Sequence, residues 1–408
     1  MARKTATKPA LDRTDTVVFL GGITALTAVS VDIVLPSTGV VARSFGAPEQ
    51  QGALLVGLYF IAYAVGQLFW GLFSDAFGRR RALLMTLAGF TLASLACAMA
   101  ASFQGLLIAR FIQGLFGASP IIARAMVRDV AHGEEAARIM TVLGAILTMA
   151  TMFAPVLGSG LLILFSWRAI FVFLALLAMV FATYTWFSLG ETGGEKRPER
   201  FTLGFIRSAG ARLLTTRSYL VPMAVGGLTF GGYVSVGATG AIIAEQRYGV
   251  SPEAFGALFA IVAGVNTGGA LFARQLLTRI SLRQVGTLAV SLLGLAGLVN
   301  LGLAFADPSL PAFWGGVCLY VAAFGIILPT SMAAAMEPAG DMPGFAASLM
   351  GALQMVMASL GAFIASSLFD GTNLAISLTM ALFAGLAVAV LTMGRMLDRR
   401  DRGHSRAE

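Results

Sequence analysis

The chain has 408 residues, 57% of them hydrophobic and only 12% charged, with mean hydropathy +0.83 and a formal net charge of +8. A soluble domain carries roughly 25% charged residues, so the composition excludes one and gives an integral membrane protein. The positive balance does not point to nucleic acid, because the arginines stand at the ends of apolar runs and not along one polar face.

Runs of about 20 apolar residues read as membrane-crossing helices. Twelve such spans are predicted, at 17–39, 52–72, 82–101, 104–126, 139–163, 169–189, 219–244, 253–275, 283–305, 312–335, 345–368 and 373–395. Tails 1–16 and 396–408 flank them. Residues 190–218, with Glu191, Glu195, Lys196, Arg197, Pro198 and Glu199, form the one long polar interior stretch and divide the spans into two six-helix halves, 17–189 and 219–395. That is the plan of a transporter with internal repeats.

Span 1 follows Arg3, Lys4, Lys8 and Arg13, a pattern a signal peptide shares. Asp32 and Pro36 inside the run, with no clear small-x-small cleavage site after it, read instead as a retained helix. Asp32 is the acid left inside the spans once loops, tails and the segment end at Glu245 are set aside, and an intramembrane acid is a functional-site hypothesis by default. Span 2 brings Tyr59, Phe60 and Tyr63, and then Gly71-Leu-Phe-Ser-Asp75-Ala-Phe-Gly78-Arg79-Arg80-Arg81. Asp75 falls where span 2 ends, where a helix dipole disfavours a carboxylate unless a cation answers it; Arg79 is the nearest. Gly71 and Gly78 permit close approach and a tight reversal.

Span 4 holds Arg110, the basic residue well inside a span, and Gln113. At about 1.5 Å rise per residue, Asp32 and Arg110 lie roughly 12 and 9 Å below the same surface, so they are expected to meet. As a static pair they would hold spans 1 and 4 together. As a functional pair, desolvation favours the neutral acid while the arginine favours the carboxylate, so the acid can exchange a proton in response to substrate. Span 5 carries Thr148, Met152 and Ala154-Pro155-Val-Leu-Gly158-Ser159, either a proline kink with generic packing or a small-residue surface for which Gly264 and Gly268 of span 8 supply the match. Residues 201–217 read equally as a plain linker or an amphipathic helix lying on the membrane face. Phe230 and Tyr233 on span 7, Asn266 on span 8 and Gln354 on span 11 complete a candidate pocket. Its aromatic and Met side chains, with those of span 2 and Met152, would give adaptable apolar contact, and its amides and hydroxyls would orient a ligand. Cys97 and Cys318 fall in mid-span and read as packing residues. No metal-ligand cluster, phosphate-cradling loop or nucleophile triad is visible, so neither an enzyme nor a cofactor is expected.

Arg79–Arg81, Arg128–Arg138, Lys196–Arg217, Arg274–Arg283 and both tails alternate with loops that hold only Arg43, Arg168 and Arg247. By the positive-inside rule both termini are cytoplasmic. The loop from Glu337 to Gly344 has no basic residue and does not bear on the assignment.

The Gly71–Arg81 stretch resembles the signature between helices 2 and 3 of the major facilitator superfamily. Asp32-Ile-Val-Leu-Pro36, Leu107-Ile-Ala-Arg110-Phe-Ile-Gln113-Gly114, Arg124-Ala-Met-Val-Arg128-Asp129, Trp167-Arg168-Ala-Ile-Phe171 and Ala346-Ala-Ser-Leu-Met-Gly351-Ala-Leu-Gln354 are similar to its bicyclomycin and chloramphenicol resistance (Bcr/CflA) exporters, over about residues 18–395. The resemblance implies a monomeric drug exporter of the bacterial cytoplasmic (inner) membrane that moves small, mostly apolar compounds against a proton. Asp32 and Arg110 match its first-helix acid and fourth-helix arginine. It implies a gating role for Gly71, Asp75, Gly78 and Arg79, with Asp75 clasping Arg79 and the start of span 11, and for Pro155 and Gly158. The helix-5 motif departs from the usual glycine-proline-x-x-glycine-glycine at Ala154 and Ser159, which leaves the direction of transport less fixed than the fold. A metabolite or siderophore exporter, or a proton-coupled importer, is the alternative on the same fold.

Overall fold

A computed structural model describes residues 14–131, 133–193, 198, 201–339 and 343–404. Arg3 to Arg13, His132, Glu195 to Arg197, Glu199 and Arg406 lie outside the described residues. Among the described residues twelve helices are long and apolar enough to cross a membrane, from Asp15–Ser44 to Leu374–Leu397. Large apolar side chains such as Leu92, Ile163 and Leu298 are exposed along them. Helices satisfy every backbone donor and acceptor within one segment, which is what lets apolar side chains face lipid.

The chain folds as two units, 1–208 with 251–260 and 209–250 with 261–408. In the first, span 1 packs along span 5 and the second half of span 4, span 2 along span 4, and span 3 along span 6. In the second, span 7 packs against spans 10, 11 and 12, and span 9 against spans 10 and 12. Residues 251–260 of span 8 group with the first unit. There a Cβ on Gly256 would sit 2.8 Å from Ser159 Oγ and 3.0 Å from the Pro155 carbonyl, so glycine allows the close approach.

Prolines set the irregularities. Span 1 is α-helical over Thr14–Asp32, then tightens into a 3-10 turn at Leu35–Ser37 before Thr38–Ser44. The carbonyl of Asp32 would accept from residue 36, and Pro36 has no N–H. Span 4 likewise divides into Phe103–Leu115 and Ser119–Val130 ahead of Pro120. Side chains of other spans serve the carbonyls at that break: Trp70 Nε1 donates to Leu115 O at 3.0 Å, and Thr27 Oγ1 to Gly117 O.

Residues 201–217 contain a helix, Leu203–Thr215, with Ala209 and Leu213 buried and Ile206 and Leu214 exposed. Cys97 and Cys318 are both free thiols.

Candidate functional site

Arg110 sits on the first half of span 4 with its side chain fully buried. Its Nε donates to Leu55 O at 3.2 Å, and its Nη1 to Gln113 Oε1 at 2.6 Å, Ser30 Oγ at 3.3 Å and Ser30 O at 3.4 Å. The guanidinium lies 4.4 Å from the Tyr59 ring centroid and 5.7 Å from that of Phe171. Gln113 in turn donates to Ser94 Oγ at 2.6 Å, and Ser94 to Phe90 O at 2.7 Å. Among the described residues Arg110 Nη2 and Tyr59 Oη have no hydrogen-bond partner. A buried cation is costly unless hydrogen bonds and rings replace its water, and here five helices combine to do so.

The expected Asp32–Arg110 pair is corrected by this arrangement. Asp32 is half-buried and, among the described residues, has neither a hydrogen-bond nor an ion-pair partner, while Arg110 reaches span 1 at Ser30. Depth arithmetic placed the two at one level. The guanidinium instead settles against carbonyl, hydroxyl and amide oxygens that the packed helices already present to it.

Of the candidate pocket residues, Tyr59 and Gln113 are fully buried in the Arg110 network, and Tyr59 is stacked on Tyr63 at 6.4 Å and edge-on to Phe60 at 6.3 Å. Thr148 and Met152 are half-buried on the long helix Gly133–Leu164. In the second unit Phe230 and Tyr233 stack on Phe324 at 5.6 and 4.7 Å. Asn266 lies where glycine is needed, a Cβ on Gly325 falling 3.1 Å from its Oδ1. Gln354 is half-buried on Pro343–Ser367.

At the end of span 2, Asp75 and Arg79 form an ion pair around the turn at Gly78, whose φ of 110° suits glycine. Arg79 also bonds Asp129 Oδ2 at 2.9 Å and Ser74 Oγ at 2.7 Å. Its backbone N–H is capped by Glu191 Oε1 at 2.7 Å. The loop is thus tied to span 4 and to the start of the linker. Sequence reasoning assigned no role to Ser30, Ser94, Asp129 or Glu191; Asp129 closes a quoted motif and could have been read from it, whereas the others are ordinary polar residues until the helices pack. On span 5, a Cβ on Gly158 would collide with the Ile33 carbonyl, so Gly158 fixes the contact with span 1 one residue past Asp32. Gly264 and Gly268 have open space at Cβ, and the glycine facing Pro155 and Ser159 is Gly256.

The model of the Major Facilitator Superfamily matches residues 19–366. The chain belongs to that superfamily. It is 27% identical over 356 residues to the bicyclomycin resistance protein homolog of Haemophilus influenzae, covering 86% of this chain and 89% of that one. It is also 27% identical over 357 residues to multidrug resistance protein D of Escherichia coli, covering 81% and 84%. A bacterial homolog of the human lysosomal transporter Spinster has the same fold, with TM-score 0.74, 16% identity and 94% and 97% coverage. The protein is therefore a multi-pass membrane transporter with the twelve-helix major facilitator fold.

Proposed function

We propose that the protein exports small, mostly apolar drugs, of the amphenicol or bicyclomycin kind, across the bacterial cytoplasmic membrane by alternating access, each in exchange for a proton. The observation that carries this reading is Asp32, an acid within a span that has no partner among the described residues, at the point where Pro36 breaks the helix. The buried Arg110 network touches the same span two residues earlier, at Ser30. A carboxylate free of fixed partners can take a proton from one side of the membrane and release it when substrate enters. Arg110 stays charged through that cycle and keeps the neighbourhood receptive to the returning anion. The names of the Haemophilus and Escherichia relatives support a drug as cargo. The mainly apolar and aromatic candidates Phe60, Tyr63, Met152, Phe230 and Tyr233 suit neutral or zwitterionic compounds.

The driving force is sufficient. One proton moving down 100 mV contributes about 2.3 kcal/mol and each pH unit about 1.36 kcal/mol, enough together for roughly several hundredfold accumulation. In everted vesicles with an imposed pH gradient, the wild-type chain should accumulate labelled chloramphenicol, and purified protein should release protons when the drug is added. Asp32→Asn keeps the volume but cannot titrate, and should lose both while remaining folded. Undiminished proton release from Asp32→Asn would remove Asp32 from coupling; accumulation in the opposite vesicle orientation would make the protein an importer.

A further inference from the structure

At one end of the second unit, spans 7, 9, 10 and 12 leave a cavity of about 440 Å³ between them. Successive spans run in opposite directions, so the starts of spans 7 and 9 share a face with the ends of spans 10 and 12. The rim of the cavity is built from those four ends: Arg217, Arg283, Glu337 and Arg395. Three arginines and one glutamate thus line that end. Arg395 donates a hydrogen bond from Nη2 to Thr287 Oγ1 across to span 9, and the side chains of Arg217 and Arg283 are solvent-exposed.

Below the rim the character changes. Val221, Val225, Val290 and Ile327 line the interior. The hydroxyls of Thr330 and Ser331 donate back to Ile326 O and Leu328 O of their own helix, so they offer a ligand no donor. A cationic rim over an apolar floor, set where helices leave the hydrocarbon, matches an anion attached to a greasy chain. A volume of this size lies within the roughly 300–1,000 Å³ of small-molecule pockets, room for a headgroup and the first part of a chain.

We propose that this cavity is a binding site for an anionic phospholipid, its phosphodiester at the arginine rim and its glycerol and first methylenes on the apolar floor. Guanidiniums bind phosphate oxygens through paired donors, and basic pockets between membrane helices take anionic headgroups. Such a lipid would tie the ends of four spans of one unit together. The cavity shares no lining residue with the Arg110 network or with the candidate pocket.

The test uses delipidated full-length protein and native mass spectrometry, titrating dioleoyl phosphatidylglycerol or phosphatidylcholine. The anionic lipid should be retained at a concentration lower by about tenfold or more. Two variants remove the preference by different routes. Arg217→Gln with Arg283→Gln removes rim charge from exposed positions. Gly286→Leu fills the cavity and leaves every charge, since a Cβ there meets nothing within 4 Å. Loss of the preference in both, with helical content unchanged by circular dichroism, is the expected result. Equal retention of the two lipids overturns the proposal. So does an unchanged preference in Gly286→Leu, which would make the attraction general surface charge. Displacement of the lipid by glycerol 3-phosphate would assign the cavity to a soluble phosphate ester and overturn the lipid as occupant.

Discussion

Arg110 shows how a charge can be held in a membrane protein by neutral oxygens and aromatic rings. Its Nε and Nη1 hydrogen bonds go to neutral oxygens and its face lies against Tyr59, so the cation depends on the shape of the guanidinium fork as much as on its charge. Lysine keeps the charge but cannot reach Leu55 O and Gln113 Oε1 along two fixed directions. Arg110→Lys is therefore expected to lower the thermal midpoint by several degrees, each lost charged hydrogen bond being worth about 1.5–3 kcal/mol, and to reduce transport. Because Asp32 is not its partner, adding Asp32→Asn to Arg110→Gln should restore neither stability nor drug accumulation. Rescue in that double variant would show that the two residues pair in a state transport requires. The importance of Arg110 was legible in the sequence as a lone cation deep in an apolar run. Its partners were not, because rise per residue gives depth and says nothing of rotation about the helix axis, and serines such as Ser30 and Ser94 carry no signal of their own.

Among the elements, span 5 lies where hydropathy places it, and the glycine seen against it is one that the sequence does not single out. Pro155 and Gly158 announced a close contact, but glycines are common in membrane helices and nothing in Gly264 or Gly268 distinguishes them from Gly256, the one that faces Pro155 and Ser159. The structure also adds a contact that spacing could not show, between Gly158 and the backbone of span 1 at Ile33, where Pro36 has already broken the helix. A backbone carbonyl cannot turn aside as a side chain can. Gly158→Ala should accordingly cost about 1–3 kcal/mol through overpacking, read as a lowered thermal midpoint in detergent. Gly160→Ala, two residues along with nothing within 4 Å of its Cβ, should be neutral or stabilising by up to about 1 kcal/mol, since alanine is the better helix former. Similar losses in both would mean that helix flexibility, not the Ile33 contact, is what span 5 requires. The linker illustrates the same limit: its polarity marked it as a connection, yet Phe201 packs edge-on against Phe69, Phe73 and Phe77 at 5.6 to 6.0 Å, and Glu191 caps the turn at Arg79. Those contacts join residues more than a hundred positions apart and have no periodic signature.

For the whole molecule, hydropathy alone located twelve spans because the bilayer demands a fixed length of apolar helix, and the same demand makes orientation a question of charge. Arg43, Arg168 and Arg247 stand on the face expected to be periplasmic. Arg43 pairs with Glu49 at 2.8 Å, Arg247 pairs with Asp307, and Arg168 lies 4.2 Å from the Trp167 ring while donating to Ala100 O at 3.1 Å. Each is thus held by a local partner, so their presence does little to offset the clusters at Arg79–Arg81, Arg207–Arg217, Arg274–Arg283 and Arg395 onward. Single-cysteine variants of the full-length chain, with Cys97 and Cys318 replaced by alanine, give the direct reading. Ser166 and Ser309 are exposed and make no side-chain capping bond, so Ser166→Cys and Ser309→Cys should be neutral changes. Both should react in intact cells with a membrane-impermeant maleimide. Thr215→Cys and Thr278→Cys, exposed on the opposite face, should react only after the cells are opened. The reverse pattern would place the termini outside, invert the direction in which Asp32 meets the proton gradient, and leave the family's fold in place with its transport reversed.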